Sequence, residues 1–234
     1  MDPVRLSDLD LRAQVPAGAA HPSPRAWEDQ VLYFLLVDRF SDGKEIGTLD
    51  PHGNVVATGS TPLFAPANAR NAVRNEADAA AWREAGTKYV GGTLKGVESK
   101  LGYLKRMGIT AIWVSPVLKQ VPFQETYHGY GTQDFLRVNP RFGTAAELKS
   151  LVRAAHREGI AVVLDIILNH TGNVFGYADN RQHTRDPRWD GNPFPVEGFR
   201  DPQGRPGIPF AKPGALPSRE IGRASCRERV LTGV

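Results

Sequence analysis

The run Asp165-Ile166-Ile167-Leu168-Asn169-His170 puts a carboxylate, an amide and an imidazole where an apolar stretch ends. A second group, Tyr127-His128-Gly129-Tyr130 with Asp134 behind it, adds two phenols, another imidazole and another acid. A third, Asp38, Arg39 and Asp42, comes directly after the apolar run that closes at Val37. Acids, amides, imidazoles and aromatics collected at one rim suit a sugar. Hydroxyls need dense hydrogen-bonding partners, and the apolar face of a pyranose stacks on an aromatic ring. The competing chemistry is a metal centre with Asp165 and His170 as ligands, in an unrelated α/β enzyme. Asn169 and the tyrosine-rich loop weigh against it, because they make a sugar platform rather than a histidine-rich cage. Taken singly, each residue has a plainer reading: an aspartate at a strand end anchors a loop, a rim histidine satisfies itself, and a tyrosine caps a core. Asp38 and Arg39 read first as a salt-bridged pair at the rim. Asp134 reads equally as structural or substrate-facing.

These groups meet only if the intervening chain folds to bring them together. Val31-Leu32-Tyr33-Phe34-Leu35-Leu36-Val37 is a short continuous apolar run, predicted as a strand covered on both faces. Residues 41 to 90 are irregular and rich in Gly, Asn and Pro, with a short helix predicted over Asp78 to Glu84. Val97, Leu101, Leu104 and Met107 fall at helical spacing, and Gly108 stops that helix. Ile109 to Val114 is predicted as a second strand. Thr144-Ala145-Ala146-Glu147 has the form of a capping box, in which the threonine hydroxyl and the glutamate carboxylate each satisfy a free backbone N–H. Leu148, Leu151, Val152 and Ala155 give the next helix its apolar face, Gly159 ends it, and Ile160 to Leu168 is predicted as a third strand. Strand, helix, strand, helix, strand, with each strand buried on both sides, is the pattern of a parallel sheet with crossover helices. Periodicity alone does not separate a barrel from an open sheet. In either, functional groups collect at the carboxyl ends of the strands.

The flanks differ from this centre. The first thirty residues are polar, carry Pro3, Pro16, Pro22 and Pro24, and read as an arm or surface wrap. Residues 187 to 217 hold eight prolines, and no helix or sheet of ordinary length is expected between them. The net charge is only +4, from 29 basic and 25 acidic residues, with no basic stripe interleaved with aromatics, so a nucleic-acid partner is disfavoured. No apolar run approaches a membrane span, so no membrane partner is expected. Met1 to Arg5 lacks the layout of a secretory signal and Cys226 is the single cysteine, which together favour the cytoplasm.

Five segments, in order, resemble the α-amylase superfamily (glycoside hydrolase family 13). They are Val37-Asp38-Arg39-Phe40-Ser41-Asp42-Gly43, Gly91 to Gly96, Tyr127-His128-Gly129-Tyr130 with Asp134-Phe135, Asn139 to Thr144, and Asp165 to His170. The resemblance implies a partial TIM (β/α)8 barrel: the first three β/α units over 31–170, after an arm over 1–30. The start of a loop-rich inserted subdomain, similar to that family's domain B, would occupy 171–220. It implies an α-glucan or small α-glucoside substrate and a retaining α-glycosidase, either an amylase-type hydrolase or a glucanotransferase. By the same resemblance His170 donates to sugar hydroxyls, Asp165 orients the site beneath the sugar, Tyr130 is the stacking platform and His128 lines the same subsite. Asn169 would bind a structural calcium ion through its amide oxygen. Thr93 stands where relatives with an additional calcium often carry an acid, so no second calcium is expected. The family's nucleophilic Asp and acid Glu come after its fourth and fifth strands, so no catalytic residue is expected within these 234 residues and they are expected to be inactive by themselves. The alternative is a non-catalytic amylase-like binding or partner subunit. Finally, Ile221 to Val230 resembles a translated sequencing adapter, with a genuine basic tail as the other reading.

Overall fold

The computed structural model describes residues 10, 21–50, 52–59, 73, 75–177 and 196–209. The adapter-like segment, Cys226 and most of the first twenty residues lie outside the described residues.

Three short strands, β1 (Leu32–Leu35), β2 (Ala111–Val114) and β5 (Ala161–Leu164), form a parallel sheet in the order β1-β2-β5. Leu32, Ala111 and Ala161 share one rung and Leu35, Val114 and Leu164 another, so all three strands end level. The crossover between β1 and β2 contains α1 (Val37–Phe40), α2 (Glu76–Ala85), α3 (Leu94–Ser99) and α4 (Leu101–Arg106). Between β2 and β5 come an antiparallel pair, β3 (Leu118–Gln120) and β4 (Thr132–Val138), and then helix α5 (Ala145–Arg157). Beyond β5 lies a separate antiparallel sheet, β6 (Phe175–Tyr177), β7 (Val196–Arg200) and β8 (Pro206–Pro209). None of the described helices is long and apolar enough to cross a membrane.

The core lies on one side of the parallel sheet. Leu35, Ile112 and Val114 pack with Leu94, Val97, Leu101, Leu104, Leu151 and Ala155 from the helices. The other face is open: Leu32 is 48% exposed, Phe34 46% and Trp113 38%. Phe34 and Trp113 touch edge-to-face at 5.2 Å. The expectation of strands buried on both sides is thus corrected, because α3, α4 and α5 all cover the same face.

Strand lengths are corrected too. The first strand stops at Leu35 and the chain turns into α1, while the third stops at Leu164, leaving 165–170 without regular structure. The helix expected through Met107 is two helices broken at Lys100, a residue in neither helical nor extended conformation. The proline-rich stretch does hold strands, β7 and β8. Of its prolines within the described residues, Pro202 lies in the turn before β8, and Pro206 and Pro209 stand at the two ends of β8, an edge strand, where proline is tolerated. The capping box at Thr144 is present in both directions. The arm touches the body at His21, whose ring stacks on His156 of α5 at 3.7 Å.

The long return from β1 to α3 is tied down by Asp38. Its buried carboxylate accepts from the N–H groups of Val90 and Gly91, and its carbonyl accepts from Gly92 at 2.8 Å. A Cβ at Gly92 would stand 2.0 Å from the Val37 carbonyl oxygen, so only glycine allows this approach. Gly92→Ala is expected to destabilise the fold by roughly 3 kcal/mol through forced backbone displacement. Thr144→Ala, which removes only the α5 cap, should cost about 1 kcal/mol. Urea midpoints for the two variants should fall in that order, and equal midpoints would refute the steric account.

Candidate functional site

The chain returns to the carboxyl end of the sheet three times, and Tyr130 is where the returns meet. It lies in the loop between β3 and β4. Its phenol donates to Asp165 Oδ2 at 2.9 Å, directly after β5, and Trp113 Nε1 of β2 donates to the same oxygen at 3.3 Å. Its own N–H donates to His128 Nδ1 at 3.0 Å, and the two rings stack with centroids 5.6 Å apart. Its carbonyl oxygen lies 3.0 Å from His170 Nε2. Asn169 Oδ1 lies 3.2 Å from His170 Nδ1. All five residues singled out from the sequence therefore form one connected cluster.

A backbone carbonyl only accepts, so the contact between His170 Nε2 and the Tyr130 carbonyl is a hydrogen bond in the tautomer that carries its hydrogen on Nε2. His128 accepts at Nδ1, which leaves Nε2 as its donor, and burial holds this imidazole below its ordinary value of 6.5. Burial first, then the hydrogen bond and charge of Asp165, hold the Tyr130 phenol above its ordinary 10.0. Burial and Asp165 thus both favour the protonated phenol, and the hydrogen bond to Asp165 ties the ring down.

Beside the cluster opens a cavity of about 470 Å³, lined by Gln124, Glu125, Thr126, His128, Tyr130, Gly131, Thr171, Gly172 and Asn173. Its shape rests also on Gln120, which the motifs did not mark, and on Gly129, which stands inside one of them. Gln120, buried in β3, accepts from Gly131 N at 2.7 Å and donates to the Leu118 carbonyl. Gly129, at φ +91, carries no side chain because a Cβ would stand 2.2 Å from the Pro116 carbonyl oxygen. The sequence carries no signal for Gln120, because the three residues of β3 show no alternation, whereas Gly129 is carried by the Tyr127–Tyr130 motif.

The remaining candidates resolve as anchors. Asp38 pairs with Arg39 at 3.4 Å and holds backbone, as its plainer reading expects. Asp134 is buried, accepts from Leu136 N at 3.0 Å and pairs with Arg137 at 3.7 Å, which favours the structural reading. Thr93 caps α3, accepting from Gly96 N at 3.0 Å. Among the described residues no group of three or more His, Cys, Asp or Glu side chains is placed to hold a metal ion. Calcium takes six to eight oxygens, and Asn169 brings one that already faces His170.

Residues 34–203 match the profile of the alpha amylase catalytic domain. The chain belongs to the alpha-amylase family. It is 37% identical over 147 residues to a beta/alpha-amylase of Paenibacillus polymyxa, a match that covers 63% of this chain and 10% of that protein. It is 35% identical over 150 residues to a cyclomaltodextrin glucanotransferase of Geobacillus stearothermophilus, covering 60% and 18%. Among solved structures, an alpha-amylase from Geobacillus thermoleovorans, complexed with acarbose, aligns at 32% identity and TM-score 0.45, covering 73% of this chain and 31% of that one. The chain thus spans between a tenth and a third of the length of these relatives. Family membership makes the parallel sheet the first part of a (β/α)8 barrel. The open face bearing Leu32, Phe34 and Trp113 is then the barrel interior, and Asp165 stands at the carboxyl-terminal rim where such barrels place their sites.

Asp165→Asn should lower the Tyr130 titration midpoint without returning it to 10.0, because burial, the larger cause, stays in place. Alkaline absorbance titration, with Tyr130→Phe to identify the signal, measures this. An unchanged midpoint would mean that the Tyr130–Asp165 bond is absent in solution.

Proposed function

We propose that this chain supplies the sugar platform of a retaining enzyme acting on α-glucosidic bonds, as an amylase-type hydrolase or a glucanotransferase. The Tyr130 cluster beside the cavity supports this reading most directly. Tyr130 offers an aromatic face whose orientation is set by Asp165 before any ligand arrives, and His128 keeps a neutral ring with an N–H donor on the cavity wall. His170 reaches a sugar hydroxyl by exchanging the Tyr130 carbonyl for it, one hydrogen bond for another. Asp165 accepts and does not attack, since its Oδ2 is held by Tyr130 and Trp113.

The same reading assigns residues 171–220 to the start of an inserted subdomain, and the β6-β7-β8 sheet is consistent with that. It assigns the intact enzyme to the cytoplasm, and Asn169 to a calcium ion whose other oxygens come from outside the described residues. Retention needs two carboxyl groups about 5–5.5 Å apart, one as nucleophile and one as acid and then base. By the resemblance those two carboxyls follow the fourth and fifth barrel strands, and the described parallel sheet has three strands. These 234 residues are therefore proposed to bind and not to cleave.

Isothermal titration with maltotriose tests both halves. Binding is expected, weakened about tenfold by Tyr130→Ala through loss of the ring face. Because burial favours neutral His128, affinity should be full above pH 6.5 and decline as pH falls below that value. No glucose or maltose should accumulate. Failure to bind sinks the glucan assignment, whereas release of sugar would show that a catalytic pair is present.

A further inference from the structure

Arg39 makes more contacts than a rim ion pair requires. Its Nε faces Asp38 at 3.4 Å, Nη1 donates to the Ala85 carbonyl at 2.5 Å and Nη2 to the Lys88 carbonyl at 2.7 Å. Its carbon Cζ then lies 3.8 Å from the centroid of the Tyr127 ring. One guanidinium thus joins α1, the end of α2 with the turn after it, and the loop between β3 and β4.

The contact with Tyr127 continues. Tyr127 meets His128 edge-to-face at 5.4 Å, His128 stacks on Tyr130 at 5.6 Å, and Tyr130 reaches Asp165. Every ring between Arg39 and the cavity is therefore held by the one before it. The α2 segment gives no competing support, since none of its residues is buried and Arg39 grips the carbonyls at its end.

We infer that Arg39 is a positioning residue for the sugar platform: by clamping Tyr127 it sets the place of the His128 ring, and through it Tyr130. The planar guanidinium is required, because only a fork engages two carbonyls in its plane while stacking its face on a ring. A lysine keeps the charge and loses the geometry. The sugar half of this inference rests on the function proposed above, and the positioning half does not.

The test compares Arg39→Lys, Arg39→Met and Tyr127→Leu in the 234-residue chain. The first readout is the His128 Cε1–Hε1 resonance in spectra of ring-labelled histidine, assigned with His128→Gln. The second is maltotriose affinity. All three variants should move the His128 resonance, Lys should not rescue Met, and affinity should fall about tenfold. Should Arg39→Met fail to fold, Tyr127→Leu still decides, since it removes the stacking ring and leaves the guanidinium's carbonyl contacts. An unmoved His128 resonance in Arg39→Lys or Tyr127→Leu overturns the inference. A moved resonance in a chain that does not bind maltotriose supports the positioning role and removes the glucan reading alone.

Discussion

The buried carboxylate of Asp38 is the constraint on which the rest of the rim depends. It lies in α1, directly after the first strand, 2% exposed, and a charge so placed must be matched by donors. The chain supplies them by bringing residues 90 and 91 back across some fifty positions, and Gly92 completes the contact by accepting no side chain. That return delivers α3 to the core, since Thr93 caps it and Leu94 N bonds to the Phe142 carbonyl ahead of α5. Two helices are thus registered against the sheet from one anchored turn. The neighbouring residue, Arg39, carries the same anchoring outward to the aromatic loop.

Because the strands end level, the segments that leave them start from the same height. β2 contributes Trp113, β5 leads directly into Asp165, and the loop after β3 brings Tyr130 between them. The open face of the sheet carries Leu32, Phe34 and Trp113, apolar side chains that a closed barrel would bury. Trp113 therefore has two functions in its position. Its ring belongs to the interior and its indole N–H belongs to the site, which is why a tryptophan, rather than another large apolar residue, suits the end of that strand.

Most of this architecture is legible in the sequence, for reasons that differ by element. The parallel strands are visible because their apolar runs are continuous, and α5 because its capping box and its spacing of apolar residues agree. Their ends are less so: the apolar run from Ile160 to Leu168 does not say where hydrogen bonding to β2 stops, and it stops at Leu164. The β3–β4 pair is hidden because three residues of strand, with register shifts against their partner, leave no alternation to detect. The five site residues are legible through motif order, yet their mutual contacts are not. Strict alternation would set Asp165 and His170 on opposite faces, and both reach Tyr130 because the chain has already left the strand. Gln120 and Gly129 shape the loop through contacts with backbone that no spacing records.

If the cluster takes a sugar as proposed, the ligand substitutes for contacts instead of creating all of them. Each polar atom of Tyr130 has a protein partner already: its phenol has Asp165, its amide has His128, its carbonyl has His170. A site of this kind costs little to keep in the unliganded state, since none of these donors is left unmatched. It also separates two tasks. The Tyr130–Asp165 bond holds the ring plane whether or not a sugar is present, while the His170–Tyr130 bond is the one that a hydroxyl can replace. On the proposed sugar reading, stacking would provide affinity without rearrangement, and the single exchange at His170 would provide orientation. The exposure of His170, against the half-burial of Asp165 and Tyr130, is what that division of labour requires.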